Sequence, residues 1–248
     1  MDEVSVVVAH SERATLHVGD VFLKVDADRT RLEREIENMN LAPVSTPRIL
    51  WHRSPVLAIT AAPGTALGRV GEPSIASSAA WAAAGAAVRQ LHDAPAPVWA
   101  GRAGRDLDEL AGDLDDECER LVADGVLPAE LVTRNRGIAE AALRPWTPVF
   151  THGDLHIAHV FVDGDELTGI LDWSEAGQGD AMYDLASLTV VHQERLEEVL
   201  AGYGAGADLD AIRGWWSLRT LMVVRWLIGH GYDPFTPGGA VDVLKAQV

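Results

Sequence analysis

The chain has 248 residues, 48% apolar and 23% charged, enough to bury a sizeable core as one large domain or two lobes. Its 37 acids against 20 bases leave a net charge of −17, a surface that repels nucleic acid and anionic membranes and favours a cationic small molecule or partner. The single cysteine, Cys118, excludes an internal disulfide framework; with the acidic start Met1-Asp2-Glu3-Val4, unlike the basic start of a secretory leader, it predicts a cytoplasmic protein.

The first quarter reads as strands. Val4–Ala9 is β-branched, Ala14–Val18 alternates, and Val21–Val25 follows the turn signal Gly19-Asp20. Asp28–Asn40 reads as a helix with Leu32, Ile36 and Met39 on one face, broken by Pro43 and Pro47. Arg48–Trp51 and Val56–Thr60 read as two more strands, and Ala61-Ala62-Pro63-Gly64 as a linker. From Pro73 onward the character is helical. Ser74–His92 is alanine-rich, and its Gly and Ala positions predict close packing on a neighbouring helix. Asp106–Ala123, strongly acidic, and Pro128–Leu143 are further helices. A hairpin is predicted at Asp163-Gly164, between Val160–Val162 and Leu167–Leu171. Asp180–His192, Glu194–Tyr203 and Asp208–Gly229 complete a helical end, with Asp208 as N-cap. In the last of these, Trp215–Gly229 is interrupted by Arg219 and Arg225; it is too short to span a bilayer and reads as a buried helix.

The densest group of chemically capable residues is His152-Gly153-Asp154-Leu155-His156-Ile157-Ala158-His159, set between the apolar runs Val149-Phe150 and Val160–Val162. Asp172 ends the next apolar run, Ile170-Leu171-Asp172-Trp173. A loop carboxylate after one strand and another at the end of a hairpin converge readily, a geometry that holds a divalent metal and orients a nucleophile. Each residue also has a plainer reading. Asp154 suits a turn cap, Lys24 suits a solvent-facing strand position, and Asp172 suits a strand-end turn. The two carboxylates flanking one hairpin favour the shared site, and Glu35 stands where it can pair with Lys24.

These residues resemble the aminoglycoside phosphotransferase and choline-kinase-like group over nearly the whole chain. The strongest blocks are His152–His156, Ile170–Trp173 and Gly179–Ala186, in that order and spacing; Phe22–Val25 and Leu32–Glu35 are weaker but fall where the family has them. The resemblance implies an α+β, protein-kinase-like fold of two lobes. A small antiparallel β-sheet lobe with one helix would span residues 1–62, and a larger, mostly helical lobe with a catalytic hairpin residues 63–248. It implies a kinase passing the γ-phosphate of ATP or GTP to a hydroxyl of a small molecule, with Mg²⁺ as cofactor. By the same resemblance Asp154 would position the acceptor hydroxyl and Asp172 would bind the metal. Lys24 would contact the phosphates, steadied by Glu35, with Glu33 as competing partner. The turn Ala9–Glu12 would cover the phosphates, with Ser11 as a contact, and the backbone of Thr60 to Ala62 would meet the nucleobase. Asp180 and Asp184 would be structural, tying helix to loop.

One departure matters. The family pattern has asparagine five residues after the catalytic aspartate, as second metal ligand; here that position is His159. Imidazole suits manganese or zinc better than magnesium. His159 is therefore a ligand favouring Mn²⁺, a phosphate contact beside a magnesium held by Asp172, or a weakening that leaves a silent binding protein. The retention of Lys24, Asp154 and Asp172 together favours a working kinase. The crowding of His152, Asp154, His156 and His159 also raises a zinc-dependent hydrolase, although no distant ligands stand out, and His152 and His156 read as structural. For the acceptor, the acids Asp106, Asp108, Glu109, Asp113, Asp115, Asp116 and Glu117 suit an aminoglycoside or basic peptide antibiotic, and hence antibiotic resistance; most of them equally suit a solvated helix face.

Overall fold

The computed structural model describes residues 4–9, 12–97 and 106–247. Five antiparallel strands open it: β1 (Val4–Ala9), β2 (Arg13–Val18), β3 (Val21–Asp26), β4 (Ile49–Arg53) and β5 (Val56–Thr60), in the order β1-β2-β3-β5-β4. Val18 pairs with Val21, so Gly19-Asp20 is a two-residue turn, with Gly19 at φ +57°. Between β3 and β4 lies α1 (Arg29–Leu41). Its N-cap, Asp28, accepts from the Thr30 and Arg31 N–H groups, and its buried face is Leu32, Glu35, Asn38 and Met39.

The chain then leaves this sheet. Strand β6 (Thr65–Ala66) pairs with β8 (Val160–Asp163), which forms a hairpin with β9 (Glu166–Ile170). Strand β7 (Val149–Thr151) pairs with β10 (Gly177–Gly179). These pairings position the site: the loop from β7 to β8 carries Asp154, the loop from β9 to β10 carries Asp172, and the two ladders hold the loops side by side.

Helices α2 (Ser78–Asp93), α3 (Leu107–Ala123), α4 (Ala129–Ala139), α5 (Ala181–Thr189), α6 (Leu196–Tyr203), α7 (Leu209–Gly229) and α8 (Ala240–Ala246) surround these ladders. The predicted close packing of the alanine-rich helix is found between α2 and α6. A Cβ on Gly85 would lie 2.0 Å from the Val199 carbonyl oxygen, and one on Gly202 1.8 Å from that of Ala82. The core runs through the larger part, with Trp81, Leu114, Phe150, Leu155, Trp173 and Leu221 fully buried.

Several boundaries move from their sequence positions. Helix α2 starts at Ser78, not Ser74, because the Ser77 hydroxyl caps the Ala80 N–H while Ser74 donates to the Leu67 carbonyl. Helix α4 stops at Ala139 and tightens into a 3₁₀ turn over Glu140–Ala142. Helix α5 ends at Thr189, and Glu194 falls in a 3₁₀ turn before α6. Strands β6 and β10 and helix α8 were not anticipated; two- and three-residue strands are too short to show alternation. Asp208 does cap α7. Among the described residues no helix is long and apolar enough to cross a membrane.

Candidate active site

Lys24 lies on the central strand β3, opposite Thr15 and Leu57. Its ammonium forms a buried ion pair with Glu35 of α1 and donates to Asp172 Oδ1 at 3.1 Å. Burial works against the charged amine, but Glu35 and Asp172 outweigh it and hold the Lys24 pKa above its ordinary value. Glu33, the competing partner, instead binds Arg29 at 2.8 Å on the exposed side of α1. Three residues beyond Glu35 on the buried face, Asn38 donates to the carbonyls of Trp173 and Ala176 at 2.8 and 3.2 Å. Helix α1 thus ties Lys24 to the loop bearing its second partner.

Asp172 is the only non-glycine residue with positive φ among the described residues, at φ 62° and ψ 69°. That conformation costs roughly 1–3 kcal/mol and persists where surrounding contacts demand it. Here Lys24 reaches one carboxylate oxygen, and Arg13 Nη2, at 3.2 Å, reaches the other. Burial opposes ionisation of Asp172, yet Lys24, His159 and Arg13 together hold its carboxyl well below the usual range.

The loop after β7 is fixed from beneath. Gly153 sits at φ +83°, and a Cβ there would fall 2.2 Å from the Glu175 carbonyl oxygen, so only glycine fits. The buried Asp184 carboxylate accepts from the His152 and Gly153 N–H groups at 2.7 and 3.0 Å and meets His92 Nε2 at 3.1 Å. His152 is itself buried and spends Nε2 on the Leu171 carbonyl at 2.9 Å. Asp180 caps α5 through Met182 N–H and accepts from Arg144 and from the Trp215 indole. His152, Asp180 and Asp184 thus spend polar groups on contacts within the fold.

Asp154 keeps 37% of its side chain exposed while Arg219 Nη2 donates to its Oδ1 at 2.8 Å. Burial opposes its charge, and Arg219, then the neighbouring His159 and His156, bring its carboxyl below the ordinary value. Arg219 also donates to the Tyr183 hydroxyl at 2.6 Å. His159 Nδ1 lies 2.9 Å from the Asp154 carbonyl oxygen. That oxygen only accepts, so Nδ1 carries the hydrogen and Nε2 is left with its lone pair. Burial keeps this imidazole neutral by lowering its pKa. The bare Nε2 faces Asp172 Oδ2 at 3.6 Å, two electron-rich atoms across a gap that suits a shared cation. The ligand atoms of Asp154, His156 and His159 also lie within 4.8 Å of one another. The residues present therefore fit a divalent metal.

The remaining predicted positions are less direct. The N–H groups of Thr60 and Ala61 are committed to the Arg48 and Asp20 carbonyls at 3.0 and 2.9 Å, so Ala62 is the first residue past the sheet's own bonding. Ser11 lies outside the described residues. Sequence reading missed Arg13 as a partner of Asp172 and Arg219 as a partner of Asp154. The signal for Arg219 was an arginine inside an otherwise apolar helix; for Arg13 there was none beyond its place at the start of a strand.

A small antiparallel lobe whose buried lysine–glutamate pair reaches a carboxylate of a larger helical lobe is the arrangement of kinase-like proteins. Residues 11–220 match the phosphotransferase enzyme family, APH, and the chain belongs to it. The chain is 30% identical to streptomycin 3''-kinase of Streptomyces griseus, over 75% of this chain and 78% of that one. It is 32% identical to viomycin phosphotransferase of Streptomyces vinaceus over 52% of this chain, an alignment that spans only 45% of that relative. The GDP complex of wild-type aminoglycoside 2'-phosphotransferase-IIIa shares the fold over 99% of this chain and 92% of that one, with a TM-score of 0.74 at 19% identity.

Proposed function

We propose that the protein transfers the γ-phosphoryl group of ATP or GTP to a hydroxyl of a small-molecule antibiotic. The observation that carries this reading is Lys24, held by Glu35 and Asp172 together, with His159 linking Asp172 to the loop of the half-exposed Asp154. Lys24 binds the α- and β-phosphates, and Glu35 keeps it aimed. Asp154 accepts a hydrogen bond from the acceptor hydroxyl. As the acceptor oxygen bonds to the γ-phosphorus, the bond from that phosphorus to the β,γ-bridging oxygen breaks, the nucleoside diphosphate leaves, and the hydroxyl proton passes to Asp154. Asp172 and His159 would hold Mg²⁺ or Mn²⁺, which supplies charge neutralisation for the phosphates. Arg13, beside Asp172, supplies further positive charge at the phosphate end. Ser11 and the Thr60–Ala62 exit from the sheet complete the nucleotide side, the latter through Ala62. The lobe boundary falls near residue 62, where the chain passes from the first sheet to the β6–β8 pairing.

The family relatives named for streptomycin and viomycin support an antibiotic as acceptor and resistance as the role, and one cysteine suits the cytoplasm. The charge of −17 supports long-range attraction of a basic molecule. Along α3, Asp108, Glu109, Asp113, Asp115 and Asp116 are exposed, as on a solvated helix face, and Glu117 binds Arg120 and Arg225. His152 is fully engaged within the protein, so a zinc hydrolase built on all four residues is not favoured. The test is release of ADP or GDP with phosphate appearing on a hydroxylated antibiotic, alongside thermal shift with each nucleotide and metal. Transfer abolished in Asp154→Asn, with the nucleotide shift retained, is the expected result. No nucleotide-dependent shift and no transfer across the panel would overturn the reading.

A further inference from the structure

Helix α7 carries one charge into an apolar stripe. Trp215, Arg219, Met222 and Trp226 follow one another at helical spacing and, with Tyr183, line a groove of about 250 Å³. Withdrawing a guanidinium from water is costly unless its N–H groups find partners. Arg219 keeps 24% of its side chain exposed and finds two: Nη1 donates to the Tyr183 hydroxyl at 2.6 Å and Nη2 to Asp154 Oδ1 at 2.8 Å. The planar fork holds both bonds in a fixed relation, which the flexible ammonium of a lysine does not. An arginine that only tied α7 to α5 would need Tyr183 alone. Here the other arm is spent on the carboxylate.

The framework behind Arg219 is stiff. Tyr183 meets Trp215 edge-on at 5.0 Å between ring centroids, and the Trp215 indole donates to Asp180 Oδ2 at 2.7 Å. Asp180 caps α5, the helix that carries Tyr183, and also accepts from Arg144 at 3.0 Å. Asp154 is fixed differently. Its backbone is held on both sides: its N–H donates to His152 Nδ1 at 3.3 Å, and its carbonyl accepts from His159 Nδ1 at 2.9 Å. Its carboxylate has Arg219 as its one hydrogen-bond partner among the described residues, and that bond engages Oδ1 alone. The rotation of the carboxylate therefore rests on Arg219, and Oδ2 is the oxygen left to accept.

Resting on the reading of Asp154 as the residue that receives the acceptor hydroxyl, we propose that Arg219, braced by Tyr183, is a positioning residue for the phosphoryl transfer. It binds one oxygen of the carboxylate and so sets the direction of the other, to which the hydroxyl proton passes. Its effect falls on kcat, since this orientation counts in the transition state and not in nucleotide binding.

Transfer from ATP and GTP to streptomycin, viomycin and water tests this in the full chain, with release of ADP or GDP as the common readout. Arg219→Met should lower kcat about 100-fold, the cost of a misplacement of about 1 Å, and leave ADP affinity within about twofold. Arg219→Lys, which keeps the charge and one donor, should recover about tenfold of that loss. Tyr183→Phe removes only the brace and should cost about threefold to tenfold, the worth of one hydrogen bond. A double-variant cycle decides between positioning and bulk structure: in the Asp154→Asn background, Arg219→Met should change kcat by less than about threefold. The same factor lost in both backgrounds is the result of a purely structural arginine and overturns the proposal. So does a rise in activity in Arg219→Met, or a loss shared equally with ADP affinity. Failure of the phosphotransferase reading is distinct: it would appear as no release of ADP or GDP by the unaltered chain, and it takes the proposal with it.

Discussion

The two sides of the cleft are built on opposite physical terms. At the phosphate end, Lys24, Glu35 and Arg13 of the small lobe and Asp172 of the larger one form a chain of paired charges, most of it withdrawn from water. On the α7 side a single pair, Arg219 with Asp154, borders a wall of aromatic and aliphatic groups. A charge network suits a ligand whose phosphates are the same in every turnover. An apolar wall suits a partner whose shape varies and whose contacts are weak and additive. The cleft thus separates a generic phosphate end from a selective acceptor end, and substitutions on the two sides should separate in the same way.

The largest effect is expected where the two ends meet. Asp154→Asn should lower kcat by roughly 10²–10⁴, the range typical of general-base groups, with nucleotide affinity unchanged. Steady-state transfer and ADP titration measure the two separately. Equal losses in both would mean that Asp154 belongs to the phosphate network and the division is false. Lys24→Met should act on the other side and also on folding. It leaves Glu35, only 6% exposed, and Asp172 without their shared cation. Breaking such a buried pair costs about 3–5 kcal/mol, read by urea melts, and the double variant Lys24→Met with Glu35→Met should recover part of that loss.

The same division governed what the sequence disclosed. Lys24 with Glu35, and Asp154 with Asp172, are legible because each sits at a fixed offset from a strand, a turn or a helix start. The Asp163-Gly164 hairpin signal and the Asp208 cap are local in the same sense, although the hairpin's two-residue turn proves to be Gly164-Asp165. Arg219 was marked only as an arginine in an apolar helix, and Trp226 was hidden, because about half of α7 is buried. Ten of its residues are buried, so the cleft-facing stripe does not stand out as a polar face would. Strands β6 and β10 were hidden for another reason: their existence depends on partners 97 and 30 residues away in sequence, Val162 for Thr65 and Val149 for Gly179, arrayed by the fold and not by any local pattern.

A smaller effect should come from the scaffold beneath Asp154. Burial disfavours the Asp184 charge, but His92 and the His152 and Gly153 N–H groups outweigh it and hold the folded-state pKa below the ordinary value. A depressed carboxylate adds stability that is present above its unfolded pKa of about 3.9 and is lost as pH falls through its folded value. Asp184→Asn should therefore cost about 1.5–3 kcal/mol near pH 7, the worth of hydrogen bonds to a charged group, and less at pH 3. Denaturant melts at the two pH values give the comparison. A cost that does not shrink on acidification would mean that shape, not charge, is what Asp184 supplies.

The smallest expected effect addresses the one residue that belongs to both sides. His159 takes its orientation from the Asp154 carbonyl and turns its bare nitrogen to Asp172, so it links the acceptor loop to the metal end. An imidazole favours manganese over magnesium relative to an amide oxygen, because magnesium prefers oxygen donors. His159→Asn should therefore shift the Mn²⁺-to-Mg²⁺ affinity ratio towards magnesium by about tenfold, or ~1.4 kcal/mol, as read by titrating each ion into the ADP complex. Trp226→Ala should leave that ratio untouched. If His159→Asn changes neither ratio nor affinity, the gap between Nε2 and Asp172 is not a metal position, and the histidine only braces the loop. If it changes the ratio together with kcat but not the acceptor's affinity, the metal end and the acceptor end are joined at this ring.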